Sequence, residues 1–198
     1  MELLKFTESD IKEAAELAYP VWGIDHAKNG GRDFGLLMCE YIIRYGWFGE
    51  KYAWKIVDDG KLVGVILAGN IHQKNGYNEW LEANMPTLNE SQQKEALTVK
   101  AYFGHTSPKV YKYMKADEDL YLSFFISSVK GCGKILLAGL MKQAKADGYK
   151  NIYLWTDSSC NHDYYSRNGF TLVSQFNNED WDPEDVNYLT YIYKKIID

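Results

Sequence analysis

The sequence predicts one α/β domain with a mixed sheet that is mostly antiparallel and contains one parallel βαβ unit. The apolar run 120–126 passes through a Gly-x-Gly loop into a helical pattern and then into a second apolar run at 152–155, the order of a right-handed parallel crossover. Two β-rich runs, 52–57 and 62–67, flank an Asp-Gly turn at 58–61 that is typical of an antiparallel hairpin. No linker rich in Pro, Gly or Ser divides the 198 residues, so a single domain is expected.

The first third of the chain predicts a strand and two helices before this hairpin. A short strand at 3–6 is followed by the capping side chains of 7–10 and by apolar residues at helical spacing from 11 to 17. A second helix is predicted at 36–43, and a Gly-rich loop around 29–31 is expected to separate the two helices.

Within the domain 1–198, residues 70–117 are predicted to be an insertion before the fourth strand. The periodic signal is irregular there, apart from a helix expected after Asn89 or Ser91. The insertion is rich in aromatic side chains, among them Trp80. Its length and composition set it apart from the regular elements on either side.

The last third predicts a helix, a strand, a short helix and two closing strands. Apolar residues of 136–144 form one helical stripe, and Gly148 stands where a left-handed C-terminal cap belongs. Beyond the strand at 152–155, the serine pair 158–159 is expected to cap a short helix. Two β-rich runs, 170–176 and 188–197, then close the sheet.

Composition limits the partners and the compartment. The formal net charge of −5 argues against a nucleic-acid partner, since nucleic-acid-binding proteins usually display a basic face. The three cysteines, Cys39, Cys132 and Cys160, are widely spaced and odd in number, which argues against a disulfide framework and a zinc site. No signal peptide or membrane-spanning run is recognisable. We therefore expect a cytoplasmic protein without a membrane partner.

The Gly-x-Gly loop has the features of a phosphate-binding site. A helix that starts after such a loop presents unpaired amide groups at the positive end of its dipole. Gly131 and Gly133 let a phosphate approach the backbone, and Lys130 and Lys134 add positive charge. The plainer interpretation is a tight strand-to-helix turn, and the motif alone does not decide between the two.

Spacing excludes two other phosphate-binding motifs. A nucleotide-binding P-loop needs glycine at position 128 and Ser or Thr at 135, where this chain has Ser128 and Ile135. A dinucleotide fingerprint needs a third glycine at 136, where Leu136 stands. Neither motif is present at this loop.

The loop pattern that begins at Gly131 (Gly-x-Gly-x-x-Leu-Leu) and the later pattern that begins at Tyr165 (Tyr-x-x-x-Gly-Phe) together resemble the GNAT superfamily of N-acetyltransferases. The order of predicted elements resembles that family across the whole chain, apart from the insertion. The family loop reads (Arg/Gln)-x-x-Gly-x-(Gly/Ala), and Ser128 stands at its first position. An asparagine often lies seven residues before the tyrosine; here Ser158 stands there, and Asn161 lies four before.

The resemblance implies a GNAT-like sheet with helices on both faces, acetyl-coenzyme A as cosubstrate, and no metal. It implies direct attack of a primary amine on the thioester in a ternary complex, with Tyr165 as the general acid that protonates the departing thiolate. Loop amides would hold the pyrophosphate and the splayed fourth strand the pantetheine arm. The residues expected to contact coenzyme A are Phe125, Ile126, Ser128, Val129, Lys130, Gly131, Cys132, Gly133, Lys134, Asn161 and Tyr165.

The ammonium group of the acceptor must also lose a proton, which a carboxylate or a histidine usually accepts. The candidates are Glu118 and Asp119, which precede the fourth strand, and His105, with His162 as a further one. Cys132 would lie at a helix N-terminus, but no orienting partner for a Cys–His pair is identifiable. Direct transfer is therefore expected, rather than a covalent acyl-enzyme.

The acceptor is predicted to be a small-molecule amine or a peptide amine, and its identity stays open. Three roles are open for the aromatic insertion: it lines the acceptor site, it forms a homodimer surface, or it covers the hydrophobic core. The alternative function is a GNAT-like module that binds coenzyme A or an acyl-coenzyme A without turnover, as a sensor or interaction domain. A third possible function is the transfer of an acyl group larger than acetyl.

Overall fold

The computed structural model describes residues 1–178 and 188–197. The strands of this part are β1 Glu2–Lys5, β2 Ala53–Asp58, β3 Lys61–Gly69, β4 Asp119–Ser127, β5 Asn151–Asp157, β6 Thr171–Asn177 and β7 Leu189–Ile196. Its α-helices are α1 Ile11–Ala18, α2 Ile24–Gly46, α3 Tyr77–Asn84, α4 Glu90–Tyr111, α5 Cys132–Ala146 and α6 Asp163–Arg167. No described helix has the length and apolar character needed to cross a bilayer.

The strands form one sheet in the order β1-β2-β3-β4-β5-β7-β6. Neighbours pair antiparallel except β4 and β5, which are parallel and are joined through α5. The β2–β3 turn places Asp59 and Gly60 at φ 49° and 76°, the positive values that a two-residue hairpin turn requires. The predicted mixed sheet with a βαβ unit is confirmed.

Helices cover both faces of the sheet because side chains alternate along each strand. On β3, Val65 and Leu67 belong to the buried cluster that packs on α1 and α2. The intervening Ile66 belongs to the cluster that includes Leu136 and Leu140 of α5. The predicted stripe of α5 is thus buried, and Gly148 ends that helix at φ 85°.

Two local predictions are wrong. Residues 29–31 are not a loop but a sharp kink: helix lies on both sides of Gly31 within Ile24–Gly46, and Gly31 itself is non-helical at φ 73° and ψ −176°, a conformation that glycine tolerates without a Cβ clash. Neither Ser158 nor Ser159 caps α6, which begins at Asp163 with His162 at its N-cap position. The Ser159 hydroxyl instead donates to Oδ1 of Asp157 at 2.6 Å.

The segment 70–117 lies between β3 and β4 and contains α3 and α4. Asn89 caps α4: its side chain accepts from the Gln92 amide at 3.0 Å, and the Gln92 side chain accepts from the Asn89 amide at 2.9 Å. The expected helix after Asn89 is therefore confirmed. The helix packs on α2 through aromatic side chains, with Tyr45 and Phe103 stacked at 4.2 Å between ring centroids.

Candidate functional site

The parallel strands β4 and β5 part after three paired positions. Their pairing covers only the residues from Asp119↔Asn151 to Tyr121↔Tyr153. At this point β4 has a bulge: Leu67 of β3 pairs with Phe124 and Ala68 with Leu122, which leaves Ser123 as the extra residue. A bulge bends its strand, so the carboxyl-terminal half of β4 leaves β5 and a cleft opens between the two strands.

A cavity of about 540 Å³ occupies this cleft. Its walls come from α2, α4, the second half of β4, the end of β5 and the region of α6. Ten of the lining side chains are aromatic: Trp22, Tyr45, Tyr102, Phe103, Phe124, Phe125, Trp155, Tyr164, Tyr165 and Tyr188. The charged or titratable residues among the others include Asp25, His26 and Asp157, whereas no lysine or arginine is found among the described lining residues. We call this space the aromatic cavity.

A second cavity, of about 620 Å³, lies at the Gly-x-Gly loop. It shares Ser127, Asn161 and Tyr164 with the aromatic cavity, so the two spaces adjoin. Its lining carries three cationic side chains, Lys130, Lys134 and Arg167. We call this space the loop cavity.

The loop provides donors as well as positive charge. Gly131 adopts φ 90° at the N-cap of α5, a left-handed conformation that favours glycine. Within the described ranges, the amides of Val129, Lys130 and Gly131 have no hydrogen-bond acceptor in the protein. A Cβ on Gly133 would lie 3.0 Å from the hydroxyl of Tyr164. Unpaired amides, a helix N-terminus and cationic side chains make this cavity suited to a pyrophosphate.

All but one of the residues expected to contact coenzyme A line one of these cavities. Phe125, Ile126 and Tyr165 line the aromatic cavity, Asn161 lines both, and the loop residues line the loop cavity. The exception is Cys132, whose side chain is buried beneath β3, with its thiol 3.7 Å from the Val63 carbonyl oxygen. Burial raises the pKa of this thiol, the opposite of what an activated nucleophile needs.

Tyr165 lies at the inner wall of the aromatic cavity. Its ring packs against Phe170 and Tyr193 at centroid distances of 5.4 and 5.5 Å. Burial raises the pKa of its hydroxyl far above the usual range, and Cys160 and Tyr164 add to the effect. The group therefore stays protonated at neutral pH and can donate. Tyr164 offers a second buried hydroxyl that has no partner in the described part of the chain.

The predicted proton acceptors do not lie at this site. Glu118 and Asp119 stand at the opposite end of β4, about 26 Å from Ser127 at the usual rise per residue. Glu118 pairs with Lys150 at 3.1 Å, and this contact lowers the pKa of Glu118. Asp119 accepts from the Asn151 side chain at 2.6 Å.

The two histidines considered as bases are also absent from the aromatic cavity lining. His105 is exposed on α4, and His162 stacks on Tyr191 with 4.3 Å between ring centroids. Neither lines either cavity. The prediction of Glu118, Asp119 or His105 as the base is corrected accordingly, since the site is at the carboxyl-terminal ends of the strands.

Sequence reasoning missed two polar residues of the aromatic cavity, Asp157 and His26. Asp157 is only 7% exposed and accepts from the Tyr102 hydroxyl at 2.9 Å and from the Ser159 amide at 3.1 Å. His26 is 8% exposed and is hydrogen-bonded through Nδ1 to Glu95 of α4. Asp157 had a usable signal, because it directly follows an apolar strand of the βαβ unit. His26 had none, because α2 was not predicted to start before residue 36.

Neither the family models nor the curated protein sequences compared with the chain gave a match. Solved structures do match over nearly the whole chain. Arylalkylamine N-acetyltransferase 2 from Aedes aegypti is 14% identical, with a TM-score of 0.60 and coverage of 100% of this chain and 99% of that one. An aminoglycoside 6'-N-acetyltransferase complexed with coenzyme A is 14% identical, with a TM-score of 0.58 and coverage of 100% and 98%.

A third structure, an agmatine N-acetyltransferase, is 11% identical, with a TM-score of 0.59 and coverage of 98% of each chain. At these identities the likeness concerns the fold. The parallel βαβ unit, the mixed sheet and helices on both faces agree with it. The chain has the fold of the GNAT acetyltransferases.

Proposed function

We propose that the protein is an N-acetyltransferase that transfers the acetyl group of acetyl-coenzyme A to a primary amine on a small molecule. The observation that carries the proposal is the continuity of the two cavities along the unpaired half of β4. Coenzyme A joins a polyanionic pyrophosphate to a narrow pantetheine arm that ends in the thioester. The loop cavity suits the first part, and the cleft between β4 and β5 suits the second.

Each end of the cofactor would meet groups that match its chemistry. The amides of Val129, Lys130 and Gly131 would donate to the pyrophosphate, at the positive end of the α5 dipole. The backbone of β4 near Phe125 and Ile126 would pair with the amides of the pantetheine arm, since this edge of the strand lacks a β5 partner. The thioester would then lie in the aromatic cavity.

The reaction would be a direct transfer. The amine nitrogen attacks the thioester carbonyl carbon, and the C–S bond breaks with its electron pair on sulfur. Tyr165 would protonate this thiolate, because its hydroxyl lies in the cavity wall and is kept protonated by burial. Holding both reactants in one cavity contributes much of the rate.

The aromatic cavity also bears on the acceptor. Two acidic side chains, Asp25 and Asp157, and no described lysine or arginine line it, so a cation is favoured over an anion. Its aromatic walls suit an apolar body or a cation–π contact. The structural neighbours are named for an arylalkylamine, an aminoglycoside and agmatine, which supports a small-molecule amine acceptor. A peptide amine and the larger acyl groups are further substrates to screen.

One observation favours the non-catalytic alternative, a module that only binds coenzyme A. Ser128 replaces the expected Arg or Gln, and its hydroxyl donates to the Val63 carbonyl at 3.3 Å, so it points back to β3. One side-chain contact to the pyrophosphate is therefore missing. The turnover of amines by the purified protein decides between the two functions.

The first experiment is isothermal titration with acetyl-coenzyme A, followed by an amine screen that detects released thiol. Gly131→Val should abolish micromolar binding, because it strains the loop and crowds its amides. Gly148→Val is the matched control: it lies at the other end of α5, has φ 85° and has equally open space around it. No binding by the wild-type protein, or equal losses in both variants, would contradict the proposal.

A further inference from the structure

His26 combines a fixed orientation with a place in the wall of the aromatic cavity. It lies near the start of α2, and its Nδ1 is hydrogen-bonded to Oε1 of Glu95. The other Glu95 oxygen, Oε2, accepts from the Asn29 side chain. Glu95 therefore joins two residues of α2 to the inserted helix α4 and holds the imidazole from one side.

This contact determines which imidazole nitrogen can accept a proton. An ionised carboxylate only accepts hydrogen bonds, so Nδ1 carries the hydrogen and the neutral ring keeps a lone pair on Nε2. Among residues 1–178 and 188–197, the hydrogen bond of the His26 ring is the one through Nδ1, and none involves Nε2. Because His26 lines the aromatic cavity, Nε2 is the nitrogen left for a ligand there.

The other titratable groups of this cavity are less suited to accept a proton. Asp25 is exposed and pairs with Lys28 at 2.6 Å. Asp157 already accepts from Tyr102 and from Ser159. Burial raises the pKa of Cys160 to about 11, so it is a neutral thiol. The tyrosines of the lining, Tyr45, Tyr102, Tyr164, Tyr165 and Tyr188, are neutral at the same pH.

In a purely structural role, His26 would only link α2 to α4 through its hydrogen bond to Glu95. That role accounts for the bond from Nδ1 to Glu95, but not for the position of His26 in the lining of the aromatic cavity, with no hydrogen bond to Nε2 from the described residues. None of the other histidines, at positions 72, 105 and 162, lines either cavity. Among the described residues of the site, His26 is thus the one imidazole available to a substrate.

We propose that His26 is the catalytic base that takes a proton from the acceptor ammonium, and that Glu95 is its positioning residue. This inference rests on the proposed function. His26 Nε2 accepts one proton from R–NH₃⁺, and the resulting amine forms a C–N bond to the thioester carbon. The C–S bond breaks, the nitrogen loses its second proton, and the thiolate takes up one proton. The products are the acetamide, coenzyme A thiol and one proton released to solvent.

The first test is His26→Asn. The Asn amide can still donate to Glu95 in place of Nδ1, but no atom remains at Nε2 to accept a proton. We expect kcat to fall about 100-fold or more, the usual contribution of a general base, with an unchanged Kd for acetyl-coenzyme A. The matched control is His72→Asn, a substitution in the exposed β3–α3 loop, which should turn over like the wild type.

Chemical rescue distinguishes a catalytic base at His26 from a residue that only links α2 to α4. In His26→Ala, added imidazole should restore turnover in a concentration-dependent manner, because the deleted ring leaves space for it. Glu95→Gln keeps a hydrogen-bond acceptor but removes the charge that stabilises the protonated ring. We expect this variant to lose about tenfold in kcat at an unchanged Kd for acetyl-coenzyme A, and imidazole should not rescue it because the His26 ring is still present.

The outcomes are distinguishable from failure of the proposed function. A wild-type protein that binds acetyl-coenzyme A but acetylates no amine removes both proposals. A wild-type transferase whose folded His26 variants keep full kcat overturns only the role of His26. Loss of kcat together with loss of acetyl-coenzyme A binding and no imidazole rescue would assign His26 to structure alone.

Discussion

Removing the charge of Asp157 should weaken the recognition of protonated amines. The Asp157→Asn change keeps the size of the side chain and leaves an oxygen to accept from Ser159. The Tyr102 hydroxyl, now 2.9 Å from the carboxylate, can rotate to accept from the new amide. The fold should therefore tolerate the change, while the main negative charge of the inner cavity is lost.

The size of the effect follows from the burial of this carboxylate. Asp157 is 7% exposed, and two unit charges 4 Å apart attract by about 4 kcal/mol at an effective dielectric constant of 20. Desolvation of the ammonium offsets part of this, so a charge-assisted contact worth about 2 kcal/mol is a reasonable net figure. At 1.4 kcal/mol per factor of ten, kcat/KM for a cationic amine should fall about 30-fold.

The assay is initial-rate thiol release with two kinds of acceptor at one pH. An alkylamine is protonated at neutral pH, whereas an arylamine is not, so only the first should show the full loss. Asp25→Asn is the comparison, since its carboxylate is exposed and already paired with Lys28, and its effect should be under about threefold. Equal losses for charged and uncharged acceptors would refute the electrostatic reasoning and leave Asp157 a structural residue of the turn.

Three further expectations concern other parts of the molecule. Tyr165→Phe should lower kcat at least several-fold with little change in acetyl-coenzyme A affinity. In a module that only binds coenzyme A, the substitution would leave binding unchanged and there would be no turnover to lose. Alkylation of Cys160 should be slow at pH 7.5 and should accelerate about tenfold per pH unit, because its pKa of about 11 leaves little thiolate. Thermal unfolding should show that Leu140→Ala, in the fully buried stripe of α5, destabilises by about 2–5 kcal/mol, whereas Asn89→Ala costs about 1 kcal/mol through the lost cap.

The parts of the fold that were predictable are those specified by short stretches of sequence. The Asp59-Gly60 turn requires only local backbone angles, and the structure has them. The strand, Gly-x-Gly loop and helix around Gly131 also lie within one continuous segment. Periodicity and turn chemistry act over such distances, so these elements and the loop cavity were accessible from sequence.

The aromatic cavity could not be predicted from short stretches of sequence, because its residues come from segments that are far apart in the chain. His26 and Glu95 are 69 positions apart, and Tyr102 and Asp157 are 55 apart. Near residue 30 the sequence predicts a loop, whereas the structure has helix on both sides of a kink at Gly31, whose φ of 73° is non-helical. Two of the candidate bases, Glu118 and Asp119, lie next to the fourth strand in sequence, but at its amino-terminal end and outside the lining of both cavities.

The bulge at Ser123 would allow one cleft to hold both proposed substrates. Before the bulge, Leu120 and Leu122 belong to the cluster beneath α5, and after it Phe124 and Ile126 belong to the cluster beneath α1 and α2. Because Ser123 is an extra residue, every second side chain of β4 points to the opposite face of the sheet after the bulge. This change occurs where the pairing with β5 ends. The Ser123 hydroxyl, which donates to the carbonyls of Gly46 and Leu67, fixes this crossing point against α2 and β3. In the proposed function, the freed backbone edge would face coenzyme A, while the redirected Phe124 and Ile126 line the aromatic cavity. One local irregularity would thus contribute to both halves of the proposed site.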